Sequence, residues 1–416
     1  MNRTFLLTIL LNISLITFSQ ANINTDNYKF INLKENYFKI TENDSSVINN
    51  FFAKIKNIYT KKDGKVNILH IGGSHVQAGV FPEAIRQNLD FFNRELTPAR
   101  GYVFPYRVAK TNNPAAYDIF YDGKWEVEKN VKRNYNVKLG VGGIAVYTDD
   151  KSAEISVKIN NLNDLTYLYF EQIKLLGYVE DGEDWAVMPV VKLRNRVVYP
   201  NYDYVDTNFY TFDLKHPENS FTVYFQQFDT VPHKFVLTGF VLENDRKGIV
   251  YHSVGVNGAA VSSYLNCEHF EEELSIFPPD MVIFGIGIND WVDDNMNKDK
   301  FIENYNLLIN RIKRVSPDCA FIFITNNDSY HKIKRKKYAV NTNGTKAQAA
   351  FYELARQNGG AVWDQFAIMG GLQSMKKWQD TGLARKDKIH FTFKGYKLLG
   401  NLFFDAFLKY YNEIEN

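Results

Sequence analysis

Cysteine is nearly absent. The 416-residue chain has two, Cys267 and Cys319, too few for a disulfide-stapled framework and without the spacing of a thiolate metal site. An exported chain would permit them to pair, but their separation in sequence favours two buried thiols. The eight histidines are scattered, so neither a metal nor a cofactor is expected. Excess charge is also lacking: 49 Lys and Arg against 47 Asp and Glu leave +2, which removes the global field that would imply nucleic acid or an anionic membrane as partner. Proline-rich, glycine-serine and repeat tracts are missing, so the chain is expected to fold throughout most of its length. Long apolar runs are missing except at the N-terminus. There Arg3, the stretch Phe5 to Phe18 and Ser19-Gln20-Ala21 read as an export signal over residues 1–21. It is shorter than the roughly 20 apolar residues a span requires. Cleavage would leave a mature chain without a membrane span, periplasmic or secreted.

What is present is an α/β pattern interrupted once. Residues 45–60 carry Val47, Phe51, Phe52, Ile55 and Ile58 at helical spacing, and Val66 to Ile71 follows as a buried strand. The run VNILHIGGSHVQAG passes from that strand through a glycine turn towards a helix at Phe81 to Phe92, with Ser74 on the turn. After Arg246 the alternation returns, with strands near Ile249, Met281, Ala320 and Ala361 and helices predicted over 260–273, 299–314, 344–357 and 394–411. Between them, residues 112–247 show short alternating runs such as Ala153, Ile155, Val157 and Ile159. That period of two predicts half-buried strands, and the segment is as long as a β-sandwich. The expected organisation is an α/β domain of residues 45–111 and 248–413 with a β-sandwich inserted at 112–247, resembling a carbohydrate-binding module; the alternative is a large antiparallel excursion with no core of its own. Trp125 and Tyr147 are its candidate sugar-stacking aromatics.

Four separated pieces carry chemistry: Ser74 in IGGSH, Gly258 in VGVNGA, Asn289 in GIGIND, and Asp387 with His390 in KDKIHFT. D-x-x-H occurs three times. Asp213 with His216 lies inside the β-rich segment and Asp328 with His331 precedes the last strand, whereas Asp387 with His390 follows the last strand and precedes the terminal helix, where α/β sheets present ligands. A serine hydroxyl needs a neighbouring imidazole to take its proton during attack on an ester. His390 is the candidate base, and Asp387 would fix its tautomer. Backbone N–H groups of Ser74 and Gly258 and the Asn289 amide are candidate donors to the oxyanion. His75, Gln77 and Trp291 adjoin these residues, and packing accounts for them equally well. The run HKIKRKKY from His331 reads as a solvated loop on the same edge, with approach to an anionic glycan as the alternative.

In this order and setting the four pieces resemble the conserved blocks of the SGNH/GDSL hydrolases. The resemblance covers residues 45–110 and 248–413 and implies a flavodoxin-like, three-layer parallel sheet. It also implies Ser74, Asp387 and His390 as catalytic residues, with Ser74, Gly258 and Asn289 as the oxyanion hole. Ser74-His75, Arg100-Gly101-Tyr102 and the β-rich insert are similar to bacterial peptidoglycan O-acetylesterases. The implied activity is removal of O-acetyl groups from a cell-envelope polysaccharide through an acyl-serine. A polysaccharide O-acetyltransferase using the same residues, or a non-catalytic glycan-binding protein, remain as alternatives. One departure is Gly73, where the family usually has aspartate, which removes a carboxylate from the turn.

Overall fold

The computed structural model describes residues 25, 27–40, 45–93, 96–160, 169–180, 182–183, 185–201, 209–292, 297–334 and 337–414; the expected export signal lies outside them. Its central sheet is ordered Phe38–Ile40, Ala361–Trp363, Ala320–Ile324, Met281–Gly285, Lys65–Gly72, Gly248–Gly255. The last five are parallel and Phe38–Ile40 runs antiparallel on one edge. Numbered along the chain, the parallel strands lie in the order 2-1-3-4-5, the flavodoxin-like arrangement, whose switch point falls where strand 1 meets strand 3. Strands 1 and 3 are Lys65–Gly72 and Met281–Gly285, so the serine strand borders that point.

The strands are apolar on both faces because both are covered. Ile68, Ile283 and Ile322 face a core completed by helices Ser46–Lys61, Val80–Asn93 and Phe393–Glu413. Leu69, Val282, Phe284 and Phe321 face the opposite core, completed by Lys298–Val315 and Gly344–Asn358. The single helix expected over 260–273 is two short ones, Val261–Leu265 and Phe270–Leu274.

The inserted region is two antiparallel sheets face to face. One is ordered Arg196–Val198, Val187–Leu193, Ser220–Gln227, Glu154–Ile159, Tyr117–Asp122; the other Phe209–Glu218, Phe170–Val179, Phe235–Glu243, Ile144–Thr148, Glu126–Lys129. Ile155, Val157 and Ile159 are buried, as their alternation requires. Two features escape a sequence-based division at residues 45 and 112. The edge strand Phe38–Ile40 precedes residue 45, too short and too near the N-terminal tract for its periodicity to show. Gly101–Val103 pairs with Phe235–Glu243 and so belongs to the sandwich sheet. The interior of the sandwich and the second α/β core form one continuous apolar cluster.

Candidate active site

Ser74 is placed by a tight turn. Strand Lys65–Gly72 ends at Gly72, where a Cβ would sit 2.1 Å from the Val76 Cγ2 and 2.9 Å from the Gly285 carbonyl, so only glycine lets the chain turn this closely against the neighbouring strand. Ser74 is the first residue of the short helix Ser74–Gln77. Its amide therefore has no acceptor within the helix. The carboxylate missing at position 73 is not needed to hold this turn. The buried Tyr264 hydroxyl donates to the Gly72 carbonyl at 2.8 Å, and the Gln77 amide donates to the Gly73 carbonyl at 3.0 Å.

The expected residues converge. Ser74 Oγ lies 2.9 Å from His390 Nε2, and His390 Nδ1 lies 3.0 Å from Asp387 Oδ2. The other carboxylate oxygen of Asp387 accepts from the amides of Ile389 at 3.0 Å and His390 at 2.9 Å. Burial alone would push the Asp387 carboxyl up, but the imidazole and these two amides outweigh it and hold the group well below the usual carboxylate range. The fixed carboxylate selects the His390 tautomer with Nδ1 protonated, leaving Nε2 to accept from the serine. The loop closes on Lys388 in the left-handed region, φ 58°. Asn327 Nδ2 anchors the same loop by donating to the Ile389 carbonyl at 3.1 Å.

Gly258 follows strand Gly248–Gly255 at φ 85°, and Asn289 follows strand Met281–Gly285. The Asn289 amide donates to the Ala259 carbonyl at 2.9 Å and stands 3.5 Å from where a Cβ on Gly73 would be. Three loops thus meet beside Ser74. Beside Asn289, burial pushes the Asp290 carboxyl up to about 7 against the pull of the Val261 amide it accepts from.

Two residues discounted in the sequence have specific contacts. Gln77 is buried, accepts from the Asn257 amide at 2.7 Å and donates to Thr111 Oγ1 at 2.9 Å. It joins the serine helix to the turn that carries Gly258. His75 Nδ1 lies 2.7 Å from the Tyr396 hydroxyl, and its ring packs 5.3 Å from that of His390. Burial, then the nearby His390 ring, push its pKa down to about 3, so it is a neutral wall behind the base. Trp291 is buried against Phe301.

Other expectations resolve differently. Tyr147 is 3% exposed, so it is committed to the sandwich, whereas Trp125 is half-buried and packs edge-on to Phe225 at 5.6 Å. Asp328 does reach the carboxyl edge of the sheet, contrary to its sequence reading, but it is buried and accepts from the Met375 amide. Asp213 accepts from Gln172 and Asn201. Cys267 and Cys319 are unpaired and buried, and burial pushes the Cys267 thiol up to about 12. Among the described residues no His, Cys, Asp and Glu group has the makings of a metal site.

In fold and in the geometry of the site the chain is similar to the SGNH-type carboxylic ester hydrolases. Residues 233–398 match the GDSL-like lipase/acylhydrolase family model. The matched segment contains Gly258, Asn289, Asp387 and His390 but not Ser74, which parallel pairing of its strand brings to them. Among solved structures, a peptidoglycan O-acetylesterase superposes with a TM-score of 0.71 at 20% identity, covering 87% of this chain and 96% of that one. An acetyl xylan esterase, AlAXEase, aligns over 38% of this chain and 81% of its own, at 18% identity and a TM-score of 0.31. The psychrotrophic esterase EstA from Pseudoalteromonas sp. aligns over 40% and 80%, at 16% identity and a TM-score of 0.31. No curated protein matches.

Proposed function

We propose that the protein is an exported serine esterase that removes O-acetyl groups from a cell-envelope polysaccharide, with peptidoglycan as the first substrate to test. The observation that carries this reading is the hydrogen-bonded chain from Ser74 through His390 to Asp387 at the carboxyl edge of the sheet. The whole-chain likeness in fold to a peptidoglycan O-acetylesterase, sandwich included, supports the choice of substrate. Export rests on the N-terminal pattern. Among the described residues no helix is long and apolar enough to cross a membrane.

In this mechanism Ser74 Oγ attacks the acetyl carbonyl as its proton passes to His390 Nε2. The carbonyl oxygen becomes an oxyanion, met by the Ser74 and Gly258 amides and the Asn289 side chain. Asp387 stays ionised and stabilises the imidazolium. The imidazolium returns the proton to the departing sugar oxygen, leaving acetyl-Ser74. Water then repeats the sequence, giving up a proton to His390, and acetate leaves with Ser74 restored. The test is acetate release from O-acetylated peptidoglycan by the wild type and by Ser74→Ala. Release by the wild type alone is expected; release by both removes the assignment. Release that requires an added sugar acceptor, with acetyl recovered on the acceptor, would make the protein a transferase.

A further inference from the structure

The basic run that followed the fourth parallel strand is not a loop. It is a hairpin, Tyr330–Lys334 paired with Lys337–Val340, built onto the catalytic loop. The Tyr330 amide donates to the Lys388 carbonyl at 3.2 Å, one residue from Asp387. The Lys388 ammonium lies 4.5 Å from the Tyr330 ring centre and 5.3 Å from that of Tyr338. Lys332, Lys334 and Lys337 on the hairpin, and Arg385 and Lys386 on the loop, are exposed. Among the described residues none of these five is in an ion pair.

Lys334 stands directly opposite Lys337 in the pairing register, an arrangement of like charges that destabilises a hairpin. The sequence places Arg335 and Lys336 between them. Across 331–338 and 385–388 the only acid is Asp387, and it is engaged by His390. A chain of net charge +2 therefore concentrates positive charge on the Asp387–His390 loop and the hairpin joined to it, at the expense of local stability. Clustered charge of one sign attracts counter-ions, with about 10- to 10³-fold enrichment where it lines a cleft.

We propose that this hairpin and loop form the polymer-binding face of the site, and that the acetylated polymer bound there is a polyanionic glycan bearing carboxylates along its chain. The proposal rests on the esterase reading and narrows its substrate class. Its test compares KM for O-acetylated polygalacturonate with KM for O-acetylated glucomannan, a neutral polymer, in the wild type and in Lys332→Gln/Lys334→Gln/Lys337→Gln. Expected are a wild-type preference for the anionic polymer, a KM for it raised about tenfold or more in the variant, and a KM for glucomannan within about twofold of wild type. In the wild type alone, the preference should vanish between about 0.01 M and 1 M salt, as the screening length falls from about 30 to 3 Å. Equal affinity for both polymers, a salt-insensitive preference, or equal losses on both in the variant overturns the proposal. So does binding of the wild type to vesicles containing anionic lipid that is lost in the variant while its KM for polygalacturonate is unchanged, because the face would then serve a membrane. If the wild type hydrolyses no aryl acetate, the esterase reading fails separately. Co-sedimentation of the Ser74→Ala protein with each polymer then still reports the charge preference.

Discussion

In the proposed mechanism Ser74 and His390 act on one proton, so their losses should not add. Each alanine variant is expected to lower kcat for an aryl acetate by about 10³-fold or more, and the double variant by no more than the worse single one. Additive losses in single-turnover assays would mean that the 2.9 Å contact between them is structural. Asn289→Ala should cost about 10²-fold in kcat with little change in KM; a raised KM at normal kcat would make it a substrate-binding residue instead. Position 73 carries a subtler expectation. A Cβ there has ordinary room, 3.5 Å from both the Ala259 carbonyl and the Asn289 amide nitrogen. Gly73→Asp should therefore fold. Its carboxylate, however, would compete with Ala259 and with the oxyanion for the Asn289 amide, so kcat should fall at unchanged stability, as kinetics with a melting curve would show.

The residues that converge at the candidate site were readable at the scale of elements because each sits where an α/β pattern breaks: a glycine turn, G-I-N-D after a strand, D-x-x-H before a helix. Gln77 was not readable. Its role depends on residues 111, 112 and 257 arriving beside it, which is a matter of tertiary placement and not of spacing. The hairpin was hidden too, because a run of lysines has no apolar alternation, and its pairing is held by Tyr330 and Tyr338 docking on Lys388. Gln77 makes the short serine helix and the Gly258 turn a single unit. Gln77→Ala would leave the Asn257 amide without its acceptor and free the turn. We expect kcat to fall about tenfold, well below the cost of losing the nucleophile, with KM nearly unchanged. A rise in KM alone would place Gln77 with substrate recognition.

For the whole molecule, sequence periodicity revealed the sandwich but not how deeply it is joined to the rest. Replacing residues 112–246 by a linker would strip a continuous apolar cluster and remove the partners of Glu273. Glu273, on helix Phe270–Leu274, is 1% exposed and accepts from the Val141 amide and the Thr238 hydroxyl, both in the sandwich. Burial pushes its carboxyl up to about 7 against these hydrogen bonds, which pull it down. Unfolded, it would titrate near its ordinary value, about 4.3. Below that pH both states hold the proton and the group causes no loss. As pH rises towards 7 the unfolded chain releases it first, so the native state loses stability, and the loss levels off once the folded carboxyl has ionised. Burial holds His70, His75 and His252 down to about 3, which pulls in the opposite sense, since stability is lost where these rings protonate on unfolding. The difference between Glu273→Gln and wild type isolates the one group. Calorimetry should show Tm of the variant rising relative to wild type by about 2 °C or more between about pH 4.5 and 7.5. A constant difference across that interval would mean that Glu273 is already ionised in the folded protein, and that the seam between sandwich and α/β core is built on a buried charge.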